Sequence, residues 1–199
     1  GVALRAGAEG VRAAGDNQQS VGTGTVALPE LRRWRVGIVC ATVMSRLDPN
    51  DRSTRTGMYS QSQCHGVGRG HLAYYQALER AGQLRILHEC SELDEIAALW
   101  QRAEVGVDGS GPPLGLVLSM ESADPILGPD QVPDWHALGL RMVSLSHYGT
   151  STYSHGTAKE GGLLPPARPL LKALQAAGIL VDVTHLTDQA HWELMDIYD

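Results

Sequence analysis

An α/β fold built on a parallel sheet is the architecture this sequence predicts, and two patterns predict it. Short apolar, β-branched runs alternate with longer segments of helical period, the signature of strand–helix–strand crossovers. The runs are apolar on both parities, as strands covered on both faces of a parallel sheet should be; an antiparallel sheet with one wet face would alternate. A further pattern concerns chemistry: three of the four runs end in an ionisable side chain.

The runs are residues 36–44 (VGIVCATVM), 114–120 (LGLVLSM), 140–146 (LRMVSLS) and 179–184 (ILVDVT). A helix is predicted over 70–81, where Leu72, Tyr75 and Leu78 share a stripe and Gly82 stands at the stop. Ser91-Glu-Leu-Asp94 resembles a capping box and opens a helix carrying Ile96, Ala97 and Trp100. Residues 134–138 form a short helical turn before Gly139. The segment 165–177 runs from prolines to Gly178, with Leu170, Leu171 and Leu174 along one side. Thr187 and Asp188 suit the first turn of a last helix over 187–198. Two polar, glycine-rich stretches, 48–70 and 146–166, follow strands and are expected to be loops that carry function.

Composition narrows the function classes. The 199 residues carry 16 Lys+Arg against 22 Asp+Glu, a net charge of −6, so the basic footprint of a nucleic-acid binder is missing. No apolar run reaches the roughly 20 residues of a membrane span, and no signal-like segment opens the chain. Cys40, Cys64 and Cys90 are odd in number and widely spaced, which speaks against a disulfide framework or a zinc ribbon and for a reducing, cytoplasmic setting. Residues 1–199 are expected to form one domain without an internal boundary.

The chemistry is expected at the strand ends. Val117-Leu-Ser-Met-Glu121, Val143-Ser-Leu-Ser-His147 and Val181-Asp-Val-Thr-His185 each place one ionisable group there. Parallel strands emerge on one face, so Glu121, His147 and His185 should converge. Their oxygen and nitrogen donors suit zinc or a similar divalent ion. A single buried histidine is more often hydrogen-bonded to backbone, and a single strand-end Glu is often just solvated. Three in equivalent positions make coincidence the weaker account.

Other candidates carry less. His65, His71, His88, His136, His155 and His191 fall in loops or on predicted helices, and most are expected to be exposed or structural. His191-Trp-Glu193 sits within a helix, away from the strand ends. Cys64-His65 suggests a thiol nucleophile, but no base is placed by pattern and a surface loop is the better expectation. Gly66-Val-Gly68-Arg-Gly70 matches no phosphate-binding fingerprint. Asp182 is either a residue between sheet and helices or a partner supporting a metal ligand.

At this point the residues resemble the membrane (renal) dipeptidase family of zinc peptidases, best over residues 115–199. Leu140-Arg-Met-Val-Ser-Leu-Ser-His147 is similar to its Gly-Val-Arg-Tyr-x-Thr-Leu-Thr-His block. Gly178-Ile-Leu-Val-Asp-Val-Thr-His185, with Gly161-Gly162-Leu163 upstream, is similar to its Gly-x-x-x-Asp-x-Ser-His block. Leu28-Pro-Glu-Leu-Arg-Arg-Trp-Arg-Val-Gly37 resembles, less specifically, the run into its second strand. The resemblance implies a (β/α)8 barrel of about 250 residues and hydrolysis of a dipeptide amide by a hydroxide bridging two divalent ions, zinc in the first instance. It implies that Glu121 bridges the metals, that His185 ligates one, and that His147 is the catalytic group contacting substrate and steadying the tetrahedral intermediate.

The departures are specific. Ser122-Ala123-Asp124 stands where the family commonly has Gly-Gly-His, and Ala41-Thr-Val-Met44 replaces an aromatic-rich strand end. None of the eight histidines is followed two places later by Asp, so the first-strand His-x-Asp pair has no counterpart. A sixth-strand histidine ligand, a carboxylate-binding Arg and an eighth-strand proton-shuttling Asp are also missing. The expectation is therefore an incomplete barrel covering strands two to five, inactive alone, with open edges that could support a homodimer. The expected partner is a dipeptide or small amide. The rival expectations are another metal-dependent amidohydrolase, a lactonase or deacylase, and a non-catalytic barrel scaffold without its metal site.

Overall fold

The computed structural model describes residues 26–48 and 57–198. Part of the predicted loop at 48–70 therefore lies outside the described residues. Strands β1 (Ile38–Met44), β5 (Leu114–Glu121), β6 (Leu140–Ser144) and β7 (Leu180–Asp182) are hydrogen-bonded in that order, all parallel. These are the four predicted runs. A fifth strand, β4 (Leu84–Ile86), pairs with the first part of β5. Three residues are too short for a period, and Arg85 turns outward to Glu92 and Glu95, which hides the strand in the sequence. Short strands β2 (Arg46–Leu47) and β3 (Gly57–Met58) pair beside the sheet. Among the described residues the sheet is open, with β1 and β7 at its ends and β4 paired on one side only, and is not a closed eight-stranded barrel.

One face of the sheet is the core. Ala41 and Val43 of β1, Leu116, Leu118 and Met120 of β5, and Val143 of β6 are buried beneath the helices. The opposite parity forms transverse rows: Met44, Glu121, Ser144 and Asp182 pair in register across β1, β5, β6 and β7, and Thr42, Ser119, Met142 and Leu180 form the row beneath. These rows are only partly covered, so the expectation of strands buried on both faces is corrected. The apolar signal on both parities came from residues such as Cys40, Met142 and Leu180, which face a concavity of about 220 Å³ or open surface rather than a packed layer.

Among the described residues six α-helices accompany the strands. Helix α1 (Leu28–Arg33) leads into β1. Helix α2 (Gln61–Arg80) begins nine residues before the predicted start, capped by Ser60, whose side chain accepts from the Gln63 N–H. Its glycines mask its period, yet Cys64, Gly68, Leu72 and Tyr75 make one buried stripe. Gly68 belongs there because an added Cβ would come within 2.9 Å of Pro125 and 3.2 Å of Val43. The Tyr75 hydroxyl donates to the Thr42 carbonyl at 2.8 Å, pinning α2 to β1.

Helix α3 (Cys90–Arg102) also starts earlier than predicted: its capping box is Glu89 with Glu92, not Ser91 with Asp94. The Glu92 carboxylate accepts from the backbone N–H of His88 and of Glu89, and these bonds, with Arg85 alongside, hold it down at about 2. Helices α4 (Val132–Ala137), α5 (Ala167–Ala176) and α6 (Asp188–Met195) fall within the predicted segments apart from the early start of α4. Leu170, Leu171 and Leu174 are buried, and Thr187 caps α6 by accepting from the Ala190 N–H. No described helix is long and apolar enough to cross a membrane.

Candidate metal centre

Parallel pairing delivers the ends of β5, β6 and β7 to the same side of the sheet. Glu121 is the last residue of β5, while His147 follows β6 by three residues and His185 follows β7 by three. The His185 Nε2 lies 3.1 Å from Glu121 Oε1, and the His147 Nε2 lies 3.2 Å from the same oxygen. The two imidazole centroids are 4.3 Å apart. One ligand atom from each residue falls within 4.8 Å of the others, and this is the one such His/Cys/Asp/Glu group among the described residues. Every predicted site residue is thus brought together with the other two. A carboxylate oxygen and two imidazole nitrogens at this spacing fit a divalent cation of the zinc type.

The surroundings tune the donors. Burial pushes the His147 ring below its ordinary value against the pull of Glu121, and His185 and Arg46 push it the same way. A neutral ring at neutral pH keeps a nitrogen lone pair free for a metal or a hydrogen bond. Burial alone would raise the Glu121 carboxyl, and the hydrogen bond with the His185 ring works against that rise. The ring of Tyr148 stands 4.7 Å from His147 and 5.0 Å from His185, centroid to centroid, forming an aromatic side to the cluster.

The concavity beside the cluster is lined by Cys40, Thr42, Ser119, Glu121, Met142 and Asp182. Asp182 is neither wedged between layers nor bonded to a ligand. Its Oδ1 accepts from the Thr184 N–H at 3.0 Å and the Thr184 hydroxyl at 2.5 Å, closing the turn that leads into His185.

Several of the weaker candidates resolve as structural. Cys64 is not on a surface loop but buried within α2, where burial pushes its thiol up to about 11, the opposite of an activated nucleophile. His65 Nδ1 is bonded to the Pro125 carbonyl, His71 Nδ1 accepts from the Met44 N–H, and His155 Nδ1 is bonded to the Gly162 carbonyl. Glu193 accepts from the Leu163 N–H on the far side of α6. Asp124, which in the sequence stands out only as part of the Ser122-Ala123-Asp124 departure, gains no functional role there. It is fully buried and accepts from three different segments, with no periodic or spacing signal to reveal it.

Known proteins sharpen this picture. No protein-family model matches the chain. A metallopeptidase from Rhodobacter sphaeroides, solved with a phosphinate mimic of the dipeptide L-Ala-D-Ala, superposes with a TM-score of 0.69 at 20% identity, over 89% of this chain and 54% of that one. Dipeptidase AC, a metallopeptidase of family M19, gives a TM-score of 0.69 at 20% identity, over 89% and 52%. The chain has the fold of metallo-dipeptidases. The probable dipeptidase PvdM from Pseudomonas aeruginosa extends the set, with a TM-score of 0.68 at 18% identity over 90% of this chain and 45% of that one. In sequence, dipeptidase tcpJ of Claviceps purpurea (strain 20.1) is 28% identical over 67 residues, 32% of this chain and 16% of that protein. The chain spans about half the length of these metallo-dipeptidase structures.

Proposed function

We propose that this protein is a metal-dependent hydrolase of dipeptides and related short amides. The observation that carries the reading is the convergence of Glu121, His147 and His185, with ligand atoms within 4.8 Å of one another, at strand ends of a metallo-dipeptidase fold. Two divalent ions, zinc in the first instance, are the cofactors it calls for. When bound, such ions would lower the pKa of water to about 7 and polarise the amide carbonyl.

The chain's own residues then take separate parts. Glu121, with Oε1 facing two imidazoles, would hold the positive charge of the ions. His185 supplies a second ligand. His147, kept neutral by burial, donates a hydrogen bond to the carbonyl oxygen as negative charge develops there. Tyr148 shields one side of both rings from water. The Rhodobacter structure's dipeptide mimic supports a dipeptide as substrate here.

We also hold that residues 1–199 act as one partial-barrel unit whose open edges at β1 and β7 suit further pairing, within a longer chain or in a homodimer. Free Cys40, Cys64 and Cys90 support a cytoplasmic setting.

The test is metal analysis of the full-length protein, followed by turnover of dipeptides against lactones and acyl-amines. Stoichiometric zinc and preferential dipeptide hydrolysis, both lost on chelation, are expected. Purification without stoichiometric metal would point to the scaffold alternative, and preference for lactones or acyl-amines to the other amidohydrolases.

A further inference from the structure

Asp124 lies three residues beyond Glu121, fully buried, and no cationic side chain among the described residues pairs with it. A carboxylate is expensive to bury unless hydrogen bonds replace its water. Here three do. Oδ2 accepts from the Leu47 N–H at 2.7 Å and the Ser122 hydroxyl at 3.0 Å, and Oδ1 accepts from the Thr152 N–H at 2.8 Å. The donors come from three places: β2 just after β1, the residue after Glu121, and the loop after β6 that contains His147.

Ser122 adds a second observation. Its φ is +74°, in the left-handed region that an L side chain enters at a cost, and it is fully buried beside the candidate bridging carboxylate. A backbone held in that region persists only when its surroundings over-determine it. The bond from its hydroxyl to Asp124 is such a restraint.

We propose, on the basis of the metal-dependent function argued above, that Asp124 is a positioning residue of the metal centre. It holds the left-handed turn at Ser122 that aims Glu121, and it ties that turn to the segments following β1 and β6. Asn at this position would turn one acceptor into a donor facing an N–H or O–H, whichever way its amide is set.

The experiment uses the full-length protein and its Asp124→Asn, Ser122→Ala and Asp124→Asn/Ser122→Gly variants. Zinc affinity is measured by chelator competition, kcat and KM with an unprotected dipeptide, and Tm in parallel. Asp124→Asn and Ser122→Ala are expected to weaken zinc binding about 10–100-fold and to lower kcat similarly, with KM within about threefold. Adding Ser122→Gly to Asp124→Asn recovers most of the lost affinity, because glycine enters this φ freely. A lower Tm with unchanged zinc affinity and kcat, or no recovery by glycine, overturns the inference. Where Asp124→Asn fails to fold, Ser122→Ala decides alone, and unchanged zinc affinity in it overturns the inference. Zinc binding without dipeptide turnover overturns only the proposed function, since the affinity ratios still decide this one. A wild-type protein that binds no zinc overturns both.

Discussion

His185 Nε2 stands 3.1 Å from Glu121 Oε1 although 64 positions separate the two residues in the chain. Their strands are not neighbours: β6 lies between β5 and β7. Two strand spacings amount to about 10 Å, so the side chains must lean toward each other, and the small Ser144, in register with Glu121, leaves room for them to do so. His147 reaches the same oxygen from the chain just beyond β6.

Replacing Glu121 with Gln keeps the shape and removes the charge that faces both imidazoles. Bound metal and dipeptide turnover should both fall by more than the roughly 10–100-fold that loss of an outer partner costs. Metal content per chain and kcat/KM, measured on the same preparation, check this.

His147 and His185 are equidistant from Glu121 within 0.1 Å, yet their proposed roles differ. His185→Ala should lose a metal. His147→Ala should retain its metal while kcat drops about 10²–10³-fold, the range for loss of one oxyanion donor. Metal analysis beside kinetics separates the two; loss of metal in His147→Ala would instead make it a ligand.

The glycines of α2 should answer oppositely to Ala. Around Gly66 and Gly70 a new Cβ meets nothing within 4 Å, so each substitution should stabilise by up to about 1 kcal/mol through helix propensity. Gly68→Ala would press a methyl to 2.9 Å from Pro125, and overpacking of this kind costs about 1–3 kcal/mol, outweighing the same propensity gain. Urea unfolding of the three variants reads the sign.

His71 should make stability depend on pH. Its Nδ1 accepts from the Met44 N–H at 3.2 Å, which requires that nitrogen unprotonated, and burial holds the ring below its ordinary 6.5. The unfolded chain therefore takes up the proton first as pH falls. This stability is complete above 6.5 and is lost as pH drops through the lower folded value. Urea midpoints at about pH 8 and about pH 5.5 should differ more for the wild type than for His71→Gln, whose side-chain carbonyl can still accept.

Much of this was legible in the chain. The α/β class followed from period, and all four predicted runs became strands, because burial of an outer face under helices demands the apolar residues that mark them. The candidate site was legible for a related reason: in a parallel sheet, position along a strand already says which end a residue occupies. What misled was local. Gly66, Gly68 and Gly70 concealed the first nine residues of α2, since they are poor helix formers, and only Gly68 is there for close approach to Pro125 and Val43. The capping box of α3 uses Glu89, a less usual cap than Ser91 two positions on.

By itself the sequence determined the class of fold and the identity of the three groups that converge, Glu121, His147 and His185. Only the tertiary structure decided how they are held. The Asp124 carboxylate gathers donors 77, 28 and two positions away, and the left-handed turn at Ser122 exists because those bonds close around it. Strand ends are set by a hydrophobic period that repeats within a few residues. A buried hydrogen-bond hub has no period, since its partners become neighbours only once the sheet and its loops have packed.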